Sequence, residues 1–155
     1  MEKTILIKEK IKNFNKIITV SGDKSLSIRW VLFSSLADGI SKARNLLMSE
    51  DVLAAIGAIK KLGIKVKIIR GVCIVYGKGI NGYKYKKNII INAHNSGTLG
   101  RLLPGFLINT PYSIKIIGDR SLSRRDFKRI SVPLSKFGAK FKLHKNKHLP
   151  LKIVG

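Results

Sequence analysis

The chain has 155 residues and carries 31 Lys and Arg against 8 Asp and Glu, a formal charge of +23. That length suffices for one packed domain, and 45% hydrophobic residues exclude a disordered polycation. No apolar run is long enough to cross a bilayer, Met1 to Lys8 hold no signal-peptide block, and Cys73 has no disulfide partner, so the expected location is the cytoplasm.

Thr4-Ile5-Leu6-Ile7 reads as a short strand, and Lys8 to Lys16 as a polar connection. Ile17-Ile18-Thr19-Val20 reads as a buried strand. Ser21 to Arg29 then turns into a helix, because Ile28, Val31, Leu32, Ser35 and Leu36 recur at helical spacing. Gly22 allows the bend, Asp23 or Ser25 caps the helix, and Asp38-Gly39 stops it. Ser41 to Leu46 is expected as a strand. Ser49-Glu50-Asp51 caps a second helix with Val52, Leu53, Ile56 and Ile59 on one face, ended by Gly63. Lys65 to Ile69 and Val72 to Tyr76 form a hairpin around Arg70-Gly71.

A polar connection runs to Asn88, and Ile89-Ile90-Ile91 restarts the pattern. Asn95-Ser96-Gly97-Thr98 turns into a helix bearing Leu99, Leu102, Leu103, Phe106 and Leu107. Ser113 to Ile117 is a strand, Gly118 to Arg125 a loop, and Phe127 to Phe137 a helix that Pro133 kinks or starts. Strands at Lys140 to Leu143 and Leu151 to Val154 close the chain. Ser21-Gly22 and Ser96-Gly97, Asp51 and Asp126, and Gly63 and Gly138 all share one offset of 75 residues. Two copies of a β-α-β-α-β-β unit account for that, at 16–80 and 81–155.

Each copy opens its first helix on a glycine turn. Free N–H groups and the positive dipole end lie there, with Lys24, Ser25 and Arg29 in one copy and Arg101 in the other. Cations, a hydroxyl and open amides converging suit a phosphate or carboxylate. The plainer alternative is a capped helix with a solvated Lys and Arg. Arg120, Arg124, Arg125 and Arg129 crowd ten residues of the second copy, in a connection where binding groups tend to sit. The lysines spread along the whole chain, without an aromatic RNA-binding signature or zinc spacing, and read mostly as solvated surface. No carboxylate pair stands out as acid and base. His94, His144 and His148 lack metal or triad spacing, and His94 reads as a strand-end residue.

Gly22-Asp23-Lys24-Ser25-Leu26-Ser27-Ile28-Arg29 resembles the Gly-Asp-Lys-Ser-x-Ser-x-Arg motif of the 5-enolpyruvylshikimate-3-phosphate synthase family. Asn95-Ser96-Gly97-Thr98-Leu99-Gly100-Arg101 resembles its Asn-x-Gly-Thr-x-x-Arg turn, and Gly118 to Arg125 its third loop. Leu149-Pro150-Leu151-Lys152-Ile153-Val154-Gly155 fits as well. The sister family acting on UDP-N-acetylglucosamine has Lys-Asn in place of Lys-Ser and matches less well. The resemblance covers this whole chain but about the first third of the family's length. It implies an α/β (α+β) class with mixed sheets, two of six units of an inside-out α/β barrel architecture, and residues 1–15 belonging to the other domain. It implies enolpyruvyl transfer from phosphoenolpyruvate to shikimate 3-phosphate, in the pathway to chorismate and aromatic amino acids. Lys24, Ser25 and Arg29 would hold shikimate 3-phosphate. Lys24, Asn95, Gly97, Thr98, Arg101 and Arg125 would hold phosphoenolpyruvate, with Lys24 also the catalytic residue of this portion.

By the same resemblance the complete enzyme is a monomer without cofactor, metal, nucleic acid or membrane partner, and the remaining acid–base groups lie outside this chain. Ile28, where the family has a polar residue, and Asp126, where a proline often follows the last arginine, depart from the pattern. A non-catalytic anion-binding or nucleic-acid-binding basic domain is the rival from another class.

Overall fold

The computed structural model describes residues 4–6, 8, 10, 13 and 15–155. Helix α1 (Lys24–Leu36) starts where the Asp23 carboxylate accepts the Leu26 N–H at 2.7 Å. Its Ile28, Val31 and Leu32 are fully buried, each contributing about 1.5–3 kcal/mol over an exposed position. Strand β1 (Asp38–Arg44) follows, then α2 (Glu50–Lys61), which buries Val52, Ala55, Ile56 and Ile59. β2 (Lys65–Ile69) and β3 (Val72–Lys78) form the expected hairpin. Arg70 and Gly71 both have positive φ, which matches the right-handed strand twist. These strands make an antiparallel sheet in the order β1-β3-β2.

The second sheet has the order β4-β5-β7-β6. β4 (Ile90–Asn92) leads into α3 (Gly97–Phe106) and returns as β5 (Ile114–Ile117), parallel to β4. The short α4 (Arg120–Ser123) and α5 (Lys128–Ser135) then precede the hairpin of β6 (Lys140–His144) and β7 (His148–Val154). β7 pairs antiparallel with both β5 and β6. α1 packs against α2, α3 and β3, and one apolar core joins residues from both sheets to these helices. That packing brings the start of α1 toward the start of α3.

The α/β class and mixed sheets agree with the sequence, but the two sheets stay open and do not close into a barrel. Four local expectations need correction. Ile17 to Val20 forms no strand; Ile17, Ile18 and Val20 lie exposed, and among the described residues β1 pairs on one side only, with β3. An apolar run becomes a strand only where a ladder partner and a cover meet it. Thr4 to Leu6 likewise forms no strand, and Ile7 lies outside the described residues. Gly118 to Arg125 is not all loop, because the Asp119 carboxylate caps one helical turn by accepting the Leu122 N–H at 2.7 Å. Pro133 does not sit near the start of α5; it lies in the helix's second half.

Candidate functional site

The turn before α1 is tight because Gly22 lies against the chain entering α2. A Cβ at Gly22 would overlap the Asn45 carbonyl oxygen, so only glycine fits. Asn45 Nδ2 also donates to Val20 O at 3.2 Å. This approach sets Lys24 beside the first turn of α2, where its ammonium meets Asp51 Oδ2 at 3.0 Å. Asp51 is the more buried partner, with 19% of its side chain exposed against 51% for Lys24. Ser25 is half-buried and Arg29 exposed, one turn along α1. Ile28 points into the core, so its apolar character serves packing.

α3 starts in the same manner. The buried Ser96 hydroxyl accepts the Leu99 N–H at 3.3 Å, leaving Gly97 and Thr98 in the first turn. A small cleft of about 200 Å³ lies between α1 and α3, lined by Arg29, Gly97, Thr98, Arg101 and Leu102. Arg101 Nε is buried there with no hydrogen-bond partner among the described residues. A buried guanidinium N–H without an acceptor is costly, and an incoming anion removes that cost. The Arg125 guanidinium closes over the same turn: its Nη1 lies 2.7 Å from where a Gly97 Cβ would stand.

Asn95 does not face this cleft freely. Its Nδ2 donates to Asp119 Oδ2 at 2.5 Å, tying the α3 turn to the start of α4. The Leu122 N–H, then the Asn95 amide, hold the Asp119 carboxyl below its ordinary range, with Arg125 adding a smaller pull. Asp126 is also lowered, chiefly by the Lys128 N–H and then by Lys147 at 3.5 Å. Its Oδ1 accepts the Lys128 N–H at 2.7 Å, just ahead of α5. His94 has φ 49° and gives its carbonyl to the Asp119 N–H at 2.8 Å, the strand-end role expected of it.

The structure thus gathers Arg29, Gly97, Thr98 and Arg101 in one cleft with Arg125 above Gly97. Lys24 and Ser25 lie at the start of α1 outside that lining, and Asn95 reaches it through the backbone of its turn. Arg120 and Arg124 line a different cavity. Sequence does not single out Asp51 or Asp119 as site residues. Asp51 stands 27 residues after Lys24 and looked like an ordinary helix cap. Its shared offset with Asp126 was the one available signal.

The fold and the cleft define an α/β domain that gathers the start of α3 and the arginines Arg29, Arg101 and Arg125 around one small cleft. The family model for EPSP synthase (3-phosphoshikimate 1-carboxyvinyltransferase) matches residues 8–155. A 3-phosphoshikimate 1-carboxyvinyltransferase of Bacillus cytotoxicus is 38% identical over 93% of this chain and 34% of the relative. One from a Sulfurihydrogenibium species is 40% identical over 100% of this chain and 35% of the relative. A solved EPSP synthase from Acinetobacter baumannii superposes with a TM-score of 0.82 at 34% identity, covering 89% of this chain and 31% of that one. The chain belongs to the EPSP synthase family. It spans about a third of the length of the curated relatives it matches.

Proposed function

We propose that this chain supplies part of an enzyme that moves the enolpyruvyl group of phosphoenolpyruvate to the 5-hydroxyl of shikimate 3-phosphate, releasing phosphate. The observation that carries this is the Gly97 turn: Arg125 lies on the glycine, and Arg101 holds an N–H beside it that has no partner among the described residues. In this reading Gly97, Thr98, Arg101 and Arg125 hold phosphoenolpyruvate, with Asn95 shaping the turn. Lys24, Ser25 and Arg29 hold shikimate 3-phosphate, and Lys24 also reaches phosphoenolpyruvate. Two polyanions repel each other in solution, so fixed cations lower the barrier by bringing them together. Asp51 positions Lys24 until substrate competes for the ammonium. The nearby carboxylates are engaged, Asp51 by Lys24 and Asp119 by Leu122 and Asn95. By the family resemblance, proton transfer is assigned to groups of the longer protein.

The reading includes two repeat units, 16–80 and 81–155, with residues 1–15 serving another domain. The 75-residue offset supports it, carrying β2 onto the span of β6 and α2 onto a span that includes α5. A monomeric, cytoplasmic enzyme without a cofactor completes the proposal. Phosphate release in the presence of both substrates tests it. A protein of the relatives' full length that contains this chain should turn over, and Arg125→Ala should lower its kcat/KM by tenfold to about a hundredfold. The 155-residue chain alone should stay at background. Release from the isolated chain that disappears on Arg125→Ala would disprove the division of the site. Absence of release from the longer protein would disprove the activity.

A further inference from the structure

Arg124 and Arg125 are adjacent but serve different surfaces. Arg125 reaches Gly97, whereas Arg124 joins Arg120 in lining a second cavity of about 620 Å³. The β6–β7 turn supplies the rest of its rim through His144, Lys145 and His148, over Leu149 and Pro150. Three permanent cations therefore share one concavity, and among the described residues no carboxylate lines it. The neighbouring carboxylates are taken: Asp119 binds the Leu122 N–H and Asn95, and Asp126 binds the Lys128 N–H and Lys147. Like charges gathered in a recess raise the local positive potential and concentrate anions. Guanidinium forks match phosphate oxygens, and imidazoles add further N–H donors. His148 Nδ1 lies 3.1 Å from Arg125 O, so this wall also touches the peptide whose side chain covers Gly97.

We propose that this cavity is a second anion site, for a phosphate-bearing small molecule, set back to back with the Gly97 cleft. Its volume falls in the range of small-ligand pockets, about 300–1,000 Å³. A nucleic-acid groove would instead need an extended basic track with aromatic stacking platforms. The apolar Leu149 and Pro150 give a floor for the body of such a ligand, while the cations take its phosphate. Because His148 meets the Arg125 backbone, an occupant here alters how Arg125 is held.

The test is a titration of the isotopically labelled 155-residue chain with inorganic phosphate and with pyrophosphate, followed by NMR at low and at physiological salt. Saturable shifts are expected at the amides of Arg124, Lys145 and His148, with a transmitted shift at Arg125. The double variant Arg124→Ala, Lys145→Ala should weaken that response at least about tenfold, while Lys60→Ala leaves it unchanged. Both altered residues are exposed, so the fold should survive, and unchanged amide dispersion checks this. A response confined to Gly97 and Arg101 would overturn the proposal. So would a weak response that the double variant does not alter, which means an adventitious ion only. Tighter binding of a single-stranded oligonucleotide than of pyrophosphate, with shifts spread over the lysine-rich surface, would also overturn it.

Discussion

At Gly97 the space for one carbon atom separates a bound arginine from a displaced one. Gly97→Ala places its methyl against Arg125 Nη1, the tip of a long and flexible side chain. The guanidinium swings away at little cost to the fold, and the cation over the turn is lost. Gly22→Ala differs, because its methyl meets the Asn45 carbonyl, which belongs to the backbone and cannot step aside. We expect Gly97→Ala to keep its thermal midpoint while losing about tenfold or more in phosphoenolpyruvate affinity in the longer protein. Gly22→Ala should unfold at a clearly lower temperature. Calorimetry and thermal melts decide between them; equal stability losses would show that Gly97 serves packing instead. Sequence made Gly97 and Arg125 legible as members of two loop motifs. It could not show that Arg125 lies on Gly97, since 28 residues and two elements separate them.

The start of α4 couples two loops through one carboxylate. Asp119 accepts the Leu122 N–H and the Asn95 amide, and its folded-state pKa lies below the unfolded value of about 4. A depressed carboxyl stabilises the fold above the unfolded pKa, and that contribution disappears as pH falls through the folded value. Asp126 is shifted in the same direction and adds to the same acid-side loss. Below about pH 4, then, the Leu122 amide and the Asn95 side-chain amide should lose protection from exchange before the α2 core does. Asp119→Ala should show the loosened α4 already at neutral pH, and NMR exchange rates measure both. An α4 turn that stays protected in the variant would refute the coupling. Capping residues and helical spacing located α1, α2 and α3 within a few residues, because those signals are local. The α4 turn carries too little periodicity to register. Ile17 to Val20 has the composition of a strand, yet strand formation depends on a neighbour that composition does not reveal.

Over the whole molecule, a charge of +23 offers a rival explanation for any anion affinity, since diffuse positive potential attracts phosphate without a site. The arrangement of Lys24 separates the two. It sits at the entry to α1 and pairs with Asp51 at 3.0 Å. Half of the Lys24 side chain is exposed, so solvent screens the pair and a phosphate can compete for the ammonium. A charge-assisted contact to that phosphate is worth roughly 1.5–3 kcal/mol, tenfold to about a hundredfold in affinity. Lys60, exposed near the end of α2, contributes only to the diffuse field, which salt screens within about 10 Å at 0.1 M. In the longer protein Lys24→Met should therefore weaken both substrates severely at low and high salt, and Lys60→Met should not. Lys24→Arg should fail as well, because a planar fork does not replace a compact ammonium in a tight turn. Calorimetry at two salt concentrations separates the cases. If Lys24→Met and Lys60→Met weaken binding equally, and salt erases both effects, the diffuse charge explains the affinity and Lys24 holds no substrate.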